Sequence, residues 1–336
     1  MFRKIITSAA FCVLLTLLIV HANEVIIEKE NNRYYMLREQ LEELNEQYEV
    51  QVYGSCHAYT SFKPMYLTET YGLTSYNLSN PSEIMPITYL RMLERFKKDV
   101  PKIALVETWG VNLYETYIKF NDMQDYVQAN MDPIPLSAEK LQMMRDVPLA
   151  RMLEENFAIA KYKDRLIHGE MIASDTRYNF EDIYWECCQE ETSFQFIEMK
   201  YRFMNNGYKP NPSIPLVGYE EWQKKPSKES TFPLEWDMEK YIDKIIDLCD
   251  EYGVKLIFYR APYRSTELEL KKVNYLEGYL AQRGIPYYDM ESELVFDPNV
   301  DFYDHEHLSE TGAQKVTEFL SREIVRHLNE DGIVSE

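Results

Sequence analysis

The chain has 336 residues, of which 45% are hydrophobic and 27% are charged, a composition typical of a folded globular protein. Its formal net charge is −20. This acidity argues against nucleic acid as a partner, because the phosphates would be repelled. The length fits one large α/β domain or two small ones.

The N-terminal residues 1–22 differ from the rest of the chain. Arg3 and Lys4 precede an apolar stretch, 5–20, that contains no charged residue. Such a stretch is typical of a membrane anchor or of a secretory signal peptide, and both interpretations stay open. Basic residues in front of it place the remainder outside the cytoplasm. We therefore expect a membrane-anchored, extracytoplasmic protein, or a secreted one if the segment is cleaved.

The cysteines do not predict a disulfide framework, a redox pair or a zinc site. There are five of them, no two are spaced as C-x-x-C, and the clustered Cys and His spacings of zinc sites are absent. We expect no metal and no cofactor. The cysteines are Cys12, Cys56, Cys187, Cys188 and Cys249. Ordinary buried thiols are expected for all of them except Cys56.

Beyond a linker and amphipathic helix expected at 23–47, residues 48–336 are predicted to form one α/β domain. Short apolar runs alternate with helical patterns, which predicts a doubly wound parallel sheet with ligands at the carboxyl ends of its strands. The predicted strands are 49–54, 73–78, 101–107, 254–259 and 285–289. The predicted helices are 82–98, 238–252, 267–283 and 311–329.

Residues 112–236 are predicted to be a mostly helical insertion that covers the site. The segment is rich in Tyr, Phe, Met and acidic residues, and no clear strand pattern is present. Its aromatic side chains could stack on sugar rings or form the insertion's own core.

The first candidate site is the turn after the first predicted strand. Gly54 permits a tight backbone there, and Cys56 would begin a helix, whose N-terminus favours negative charge. A thiol in that position has a lowered pKa, and the thiolate is its reactive form. The alternative is a buried structural cysteine.

The second candidate site directly precedes the last predicted helix. Asp304 and His307 are three residues apart, so one helical turn would let the carboxylate orient the imidazole toward a nucleophile. His305 would point elsewhere. A solvated acidic turn is an alternative, and a metal site that also uses His305 and Glu306 is another.

Together the two sites resemble the SGNH/GDSL hydrolase superfamily. Gly54-Ser55-Cys56-His57 is similar to its nucleophile block, and Asp304-x-x-His307-Leu308 is similar to its terminal block. The closest resemblance is to the membrane-anchored branch that includes the lipoteichoic acid D-alanylation protein DltD and polysaccharide O-acetylation proteins. It covers about 48–111 and 238–329, and it implies a flavodoxin-like three-layer α/β/α fold.

The resemblance also implies roles for particular residues. Cys56 would be the nucleophile, His307 the general base, Asp304 its orienting carboxylate, and the Ser79 amide an oxyanion donor beside that of Cys56. Two departures stand out: a cysteine replaces the family's serine, and the usual G-x-N-D block is missing, with Glu107 at that strand end instead. The roles of Glu107, His57 and His305 stay open.

The predicted function is acyl transfer or ester hydrolysis on a cell-envelope carbohydrate or polymer. Its partners would be an acyl donor, a carbohydrate acceptor and a membrane-bound O-acyltransferase. The first alternative is a catalytically inactive scaffold or binding partner of that acyltransferase. A thiol redox protein is a further alternative, although no resolving cysteine lies near Cys56 in the sequence.

Overall fold

The structure is a computed structural model of the chain. It describes residues 2–25, 47–109, 127, 130–131, 133–146, 167, 202, 205–216, 226–235 and 238–330. The helix expected within 23–47 and most of the insertion expected at 112–236 lie outside these residues, so both stay predictions.

A single sheet of five parallel strands forms the centre of the described chain. Its spatial order is β2-β1-β3-β4-β5, and every neighbouring pair is parallel. This order, with a crossover back past β1, is the flavodoxin-like variant of the doubly wound fold. The predicted fold class is therefore confirmed. The strands are β1 (Val50–Tyr53), β2 (Ser75–Asn77), β3 (Ile103–Glu107), β4 (Lys255–Arg260) and β5 (Tyr287–Asp289).

The four helices predicted at 82–98, 238–252, 267–283 and 311–329 are found in that order with differences at their ends, whereas the helices Pro64–Tyr71 and Met290–Glu293 were not predicted. The helix predicted at 238–252 is found with those bounds, and the last helix is one residue longer at each end than predicted. The helices are α1 (Phe2–Val25), α2 (Cys56–Ser61), α3 (Pro64–Tyr71), α4 (Met85–Phe96), α5 (Ala138–Asp146), α6 (Met238–Tyr252), α7 (Glu267–Ala281), α8 (Met290–Glu293) and α9 (Glu310–Glu330).

Within the described residues, no helix has both the length and the apolar character needed to cross a membrane.

The sheet carries a core on each face because successive side chains of a strand point to opposite sides. In β3, Ala104 and Val106 pack into the core that includes α4 and α6, whereas Ile103 and Leu105 pack into the core that includes α9. All four are completely buried. Burial on both faces explains why residues 103–106 form an unbroken apolar run. Each of the larger ones, Ile103, Leu105 and Val106, contributes about 1.5–3 kcal/mol relative to an exposed side chain.

A described segment of the insertion, 205–216, runs along the edge of the domain. The Lys209 amide donates to the Tyr59 carbonyl in α2 at 2.8 Å. The Asn211 carbonyl accepts from the Glu310 amide at the start of α9, also at 2.8 Å. The segment therefore ties α2 to the N-terminus of α9, the two elements that flank the candidate site.

Candidate active site

The nucleophile turn is a short link between β1 and α2. Gly54 has φ +130°, a conformation that side-chain-bearing residues rarely adopt. Ser55 is the N-cap of α2, and its Oγ accepts from the His57 amide at 3.2 Å. Cys56 is the first residue of the helix. The turn therefore presents the thiol at the carboxyl end of the sheet.

Replacing Gly54 by alanine is expected to destabilise the protein. A Cβ there would lie 2.8 Å from the Glu107 Cβ and would have to adopt the unfavourable φ. We expect Gly54→Ala to lower the free energy of unfolding by about 2–4 kcal/mol, the combined cost of backbone strain and overpacking.

Urea denaturation of the two glycine variants tests this expectation. Gly253→Ala is the matched control, because Gly253 also has a positive φ but a Cβ there meets no atom within 4 Å. That variant should lose only about 1–2 kcal/mol. Equal losses in the two variants would show that the contact with Glu107 does not matter.

Asp304 and His307 lie in a closed loop rather than in the helical turn that their spacing suggested. Phe302 and Leu308 form an antiparallel bridge that closes the loop just before α9. Within it, Asp304 Oδ1 accepts from the backbone amides of Glu306 and His307, each at 2.8 Å. Both carboxylate oxygens lie 3.0 Å from His307 Nδ1. The loop thus fixes the imidazole and leaves Nε2 as its other nitrogen.

The fold brings the two candidate sites together. The Cys56 Sγ lies 3.7 Å from His57 Nδ1, and the charges of both His307 and His57 act on the thiol. The two imidazole rings stack with centroids 5.3 Å apart and an angle of 27°. Contacts therefore run from Cys56 through His57 and His307 to Asp304, although these residues come from opposite ends of the sequence.

The charges around the thiol favour its ionised form. Burial alone would raise the pKa of Cys56, but the neighbouring His307 and His57 outweigh burial and lower the pKa to about 5. For His307, burial lowers the pKa, whereas the Cys56 thiolate and the Asp304 carboxylate raise it to about 9. Between these values the pair exists mainly as thiolate and imidazolium, the reactive state of catalytic cysteines.

Glu107, the last residue of β3, supports the nucleophile turn. It is buried, and its carboxylate accepts from the Ser55 hydroxyl and from the Trp109 amide, both at 2.8 Å. Burial raises the pKa of Glu107, and the nearby His57 partly offsets that rise. The role that the sequence left open for Glu107 is therefore to hold Ser55, the cap of α2, from the end of β3.

Ser79 is buried in the loop after β2, which docks onto the nucleophile turn. The Asn80 amide donates to the Gly54 carbonyl at 3.0 Å. The Ser79 amide itself donates to Asn77 Oδ1 at 3.3 Å. Since that amide already has an acceptor, its use as an oxyanion donor stays a prediction.

The four polar residues 304–307 do not converge on one point. The Asp304 carboxylate faces His307, whereas Glu306 Oε2 lies 3.3 Å from His57 Nε2. His305 contributes its carbonyl to the Arg264 amide at 2.8 Å. Among the described residues, no group of three or more His, Cys, Asp or Glu side chains is arranged to hold a metal ion.

The site contains three groups whose roles the sequence did not assign: Trp109, Tyr263 and Glu306. His57 stacks on Trp109, with centroids 5.0 Å apart, and meets the edge of Tyr263 at 4.9 Å. Glu306, the third group, pairs with His57 Nε2. Trp109 and Tyr263 lie two and three residues beyond the ends of β3 and β4, so the rule that sites form at the carboxyl ends of parallel strands could have singled them out.

Compared with models of known protein families and with curated proteins, the chain has no match. The functional interpretation therefore depends on the chemistry of the site. A thiolate, an imidazole beside it and a carboxylate that orients the imidazole are the groups required for nucleophilic acyl transfer.

Proposed function

We propose that the protein is an acyl-transfer enzyme or esterase in which Cys56 carries the acyl group as a thioester. The observation that carries this proposal is the position of the Cys56 thiol 3.7 Å from His57 Nδ1, with the His57 ring stacked on that of His307, whose Nδ1 is held by Asp304 at 3.0 Å. A structural cysteine would not be surrounded in this way. Cys249, for comparison, is buried in α6, and burial raises its pKa.

The reaction divides into two steps. The thiolate attacks the acyl carbonyl carbon, a C–S bond forms, and the C–O bond to the leaving group breaks as His307 Nε2 gives its proton to the departing oxygen. In the second step an acceptor hydroxyl, or water, attacks the thioester and loses its proton to His307. The C–S bond breaks and its electron pair returns to sulfur.

In the same proposal, the acceptor is a cell-envelope carbohydrate outside the cytoplasm, and the protein is a member of the SGNH/GDSL superfamily. It is supported by the resemblance of the blocks at 54–57 and 304–308 and by the apolar segment at 5–20. The rim of the site carries the half-exposed carboxylates of Asp304 and Glu306. These charges favour a neutral acceptor over an anionic one. The protein's partner would be a membrane-bound O-acyltransferase that supplies the acyl groups.

One observation favours the alternative of an inactive scaffold. The Ser79 amide is hydrogen-bonded to Asn77, so an oxyanion in this conformation would lack that donor. In a scaffold, the site would bind a partner without forming a covalent intermediate.

Intact-mass measurement of the full chain after brief exposure to an activated aryl acetate distinguishes the two functions. We expect one acetyl group per chain, mapped to the peptide that contains Cys56, and none in a Cys56→Ala protein. Cys249 is the internal control and should remain unmodified while the protein is folded. An adduct that persists in Cys56→Ala, or no adduct on a folded protein, would overturn catalysis by Cys56 and leave the scaffold.

A further inference from the structure

His57 is almost completely buried directly beside the nucleophile, and the acyl-transfer steps described above do not use it. Its side chain is 1% exposed. Burying an imidazolium is costly unless it is paired, so the groups around it decide its protonation state. Those groups come from four parts of the fold.

The neighbours of His57 on its own turn are acceptors. Nδ1 lies 3.7 Å from Cys56 Sγ and 3.0 Å from Ser55 Oγ. The hydroxyl hydrogen of Ser55 is directed to the Glu107 carboxylate at 2.8 Å, so Ser55 Oγ offers only lone pairs to the imidazole. Nδ1 must therefore carry a hydrogen to satisfy this side of the ring.

The opposite nitrogen also faces a negative group. His57 Nε2 lies 3.3 Å from Glu306 Oε2, in an ion pair rather than a directed hydrogen bond. The remaining neighbours are rings: Trp109 from the end of β3, Tyr263 after β4, and His307 from the loop before α9. With acceptors at both nitrogens, the doubly protonated imidazolium is the form that fits.

We propose that His57 is a positioning residue that remains an imidazolium throughout the reaction. Its charge lets His307 hold a proton before Cys56 is acylated and makes His307 a neutral base afterwards. This inference depends on the proposed acyl transfer through Cys56. It assigns His57 no contact with the acyl group.

Before acylation, the negative charge on sulfur interacts with both positive rings. The thiolate stabilises the proton on His307, which is then available for the leaving group. Forming the thioester removes the negative charge from sulfur. The His57 charge stays, held by Glu306 and Glu107, with its ring centroid 5.3 Å from that of His307.

Repulsion between the two rings is then no longer balanced. Like charges at such a distance disfavour a second proton, and His57 lowers the pKa of His307. His307 therefore becomes a neutral base when an acceptor hydroxyl must be deprotonated. The pKa of His57 supports the assignment: burial lowers it, but the Cys56 thiolate, Glu306 and Glu107 raise it to about 10.

The first part of the test needs no acyl substrate. The thiolate absorbance near 240 nm is followed against pH in the full chain, in His57→Gln and in His305→Gln, the matched control from the loop before α9. Loss of an opposite charge at this distance should reduce the ratio of thiolate to thiol at pH 6 by about 10- to 1,000-fold in His57→Gln. The control should titrate like the unchanged protein.

The second part follows decay of the acetyl adduct against pH. In His57→Gln the midpoint of the deacylation profile should move to higher pH, because His307 keeps its proton more strongly without its positive neighbour. A residue that only fills space would change the rate without moving this midpoint. Unchanged midpoints in both titrations would overturn the proposal.

Glu306→Gln gives a second variant if His57→Gln does not fold. The Glu306 side chain is 49% exposed, so the substitution leaves the core intact and weakens only the charge on His57. It should move both midpoints in the same directions by smaller amounts. A normal thiolate titration without any acyl adduct would count against the acyl-transfer function, whereas an adduct on Cys56 with unshifted titrations would count against His57 alone.

Discussion

In a His307→Ala protein, transfer of the acyl group from Cys56 to an acceptor is expected to slow by about 10²- to 10⁴-fold, the usual contribution of a general base. His57 is not placed to take the acceptor's proton, since both of its nitrogens face acceptors of their own. Acylation by an activated aryl acetate should slow much less, because its leaving group needs no proton and His57 still stabilises the thiolate. The acetyl adduct should therefore form and persist.

The decay of the adduct, followed by intact mass after the aryl acetate is removed, measures this effect. His305→Ala is the control, because that residue lies in the same loop and contributes its carbonyl to the Arg264 amide. Added imidazole should restore part of the lost rate to His307→Ala and none to the control. Decay at the unchanged rate would show that another group is the base.

Replacing Asp304 by asparagine is expected to reduce turnover by about 10³- to 10⁴-fold while keeping the loop folded. The amide oxygen can still accept from the backbone amides of Glu306 and His307, as Asp304 Oδ1 does. The side-chain NH₂ cannot accept the hydrogen on His307 Nδ1, so the imidazole is held in the wrong tautomer. Activity falls although the shape is retained.

The pH profile of turnover in Asp304→Asn should also narrow. The Asp304 carboxylate raises the pKa of His307, so its loss moves the basic limb, near pH 9 in the unchanged protein, to lower pH. Weaker protonation of His307 stabilises the thiolate less, so the acidic limb near pH 5 moves up. These limbs belong to the coupled pair rather than to either residue. A profile that is lower but equally wide would contradict the role of Asp304.

The fold could be predicted in some detail because its signals are local. Each strand is short and bounded by turns, and burial on both faces explains the apolar run 103–106 of β3. β1 could be predicted although Gln51 interrupts its apolar residues. Helix ends were predicted less well where no cap residue marks them. The helix predicted at 82–98 begins only at Met85, whose N-cap, Ile84, makes no side-chain hydrogen bond.

The site could be predicted only in part, since sequence shows which residues carry chemistry but not which atoms meet. Cys56 was singled out from its position after a strand, and Asp304 and His307 from their spacing just before the last helix, together with a family resemblance. Their spacing suggested a helical turn for 304–307, whereas a β-bridge between Phe302 and Leu308 forms the loop. That bridge depends on two residues meeting across the turn.

The part played by His57 could not be foreseen for the same reason. Its proximity to Cys56 is visible in the sequence, but its charge depends on Glu306, which reaches it from the far end of the chain. Glu107 contributes through Ser55 from a third strand. Interactions of this kind depend on the whole tertiary structure.

The division of the site between the two ends of the chain has a consequence for biosynthesis. Cys56 and His57 emerge early in translation, whereas Glu306 and His307 emerge among the last residues of the domain. Until α9 docks, the thiol lacks one of its two cations, and His57 lacks its outer carboxylate. A growing or truncated chain therefore carries a cysteine of nearly ordinary reactivity, and the activated nucleophile appears only when folding is complete.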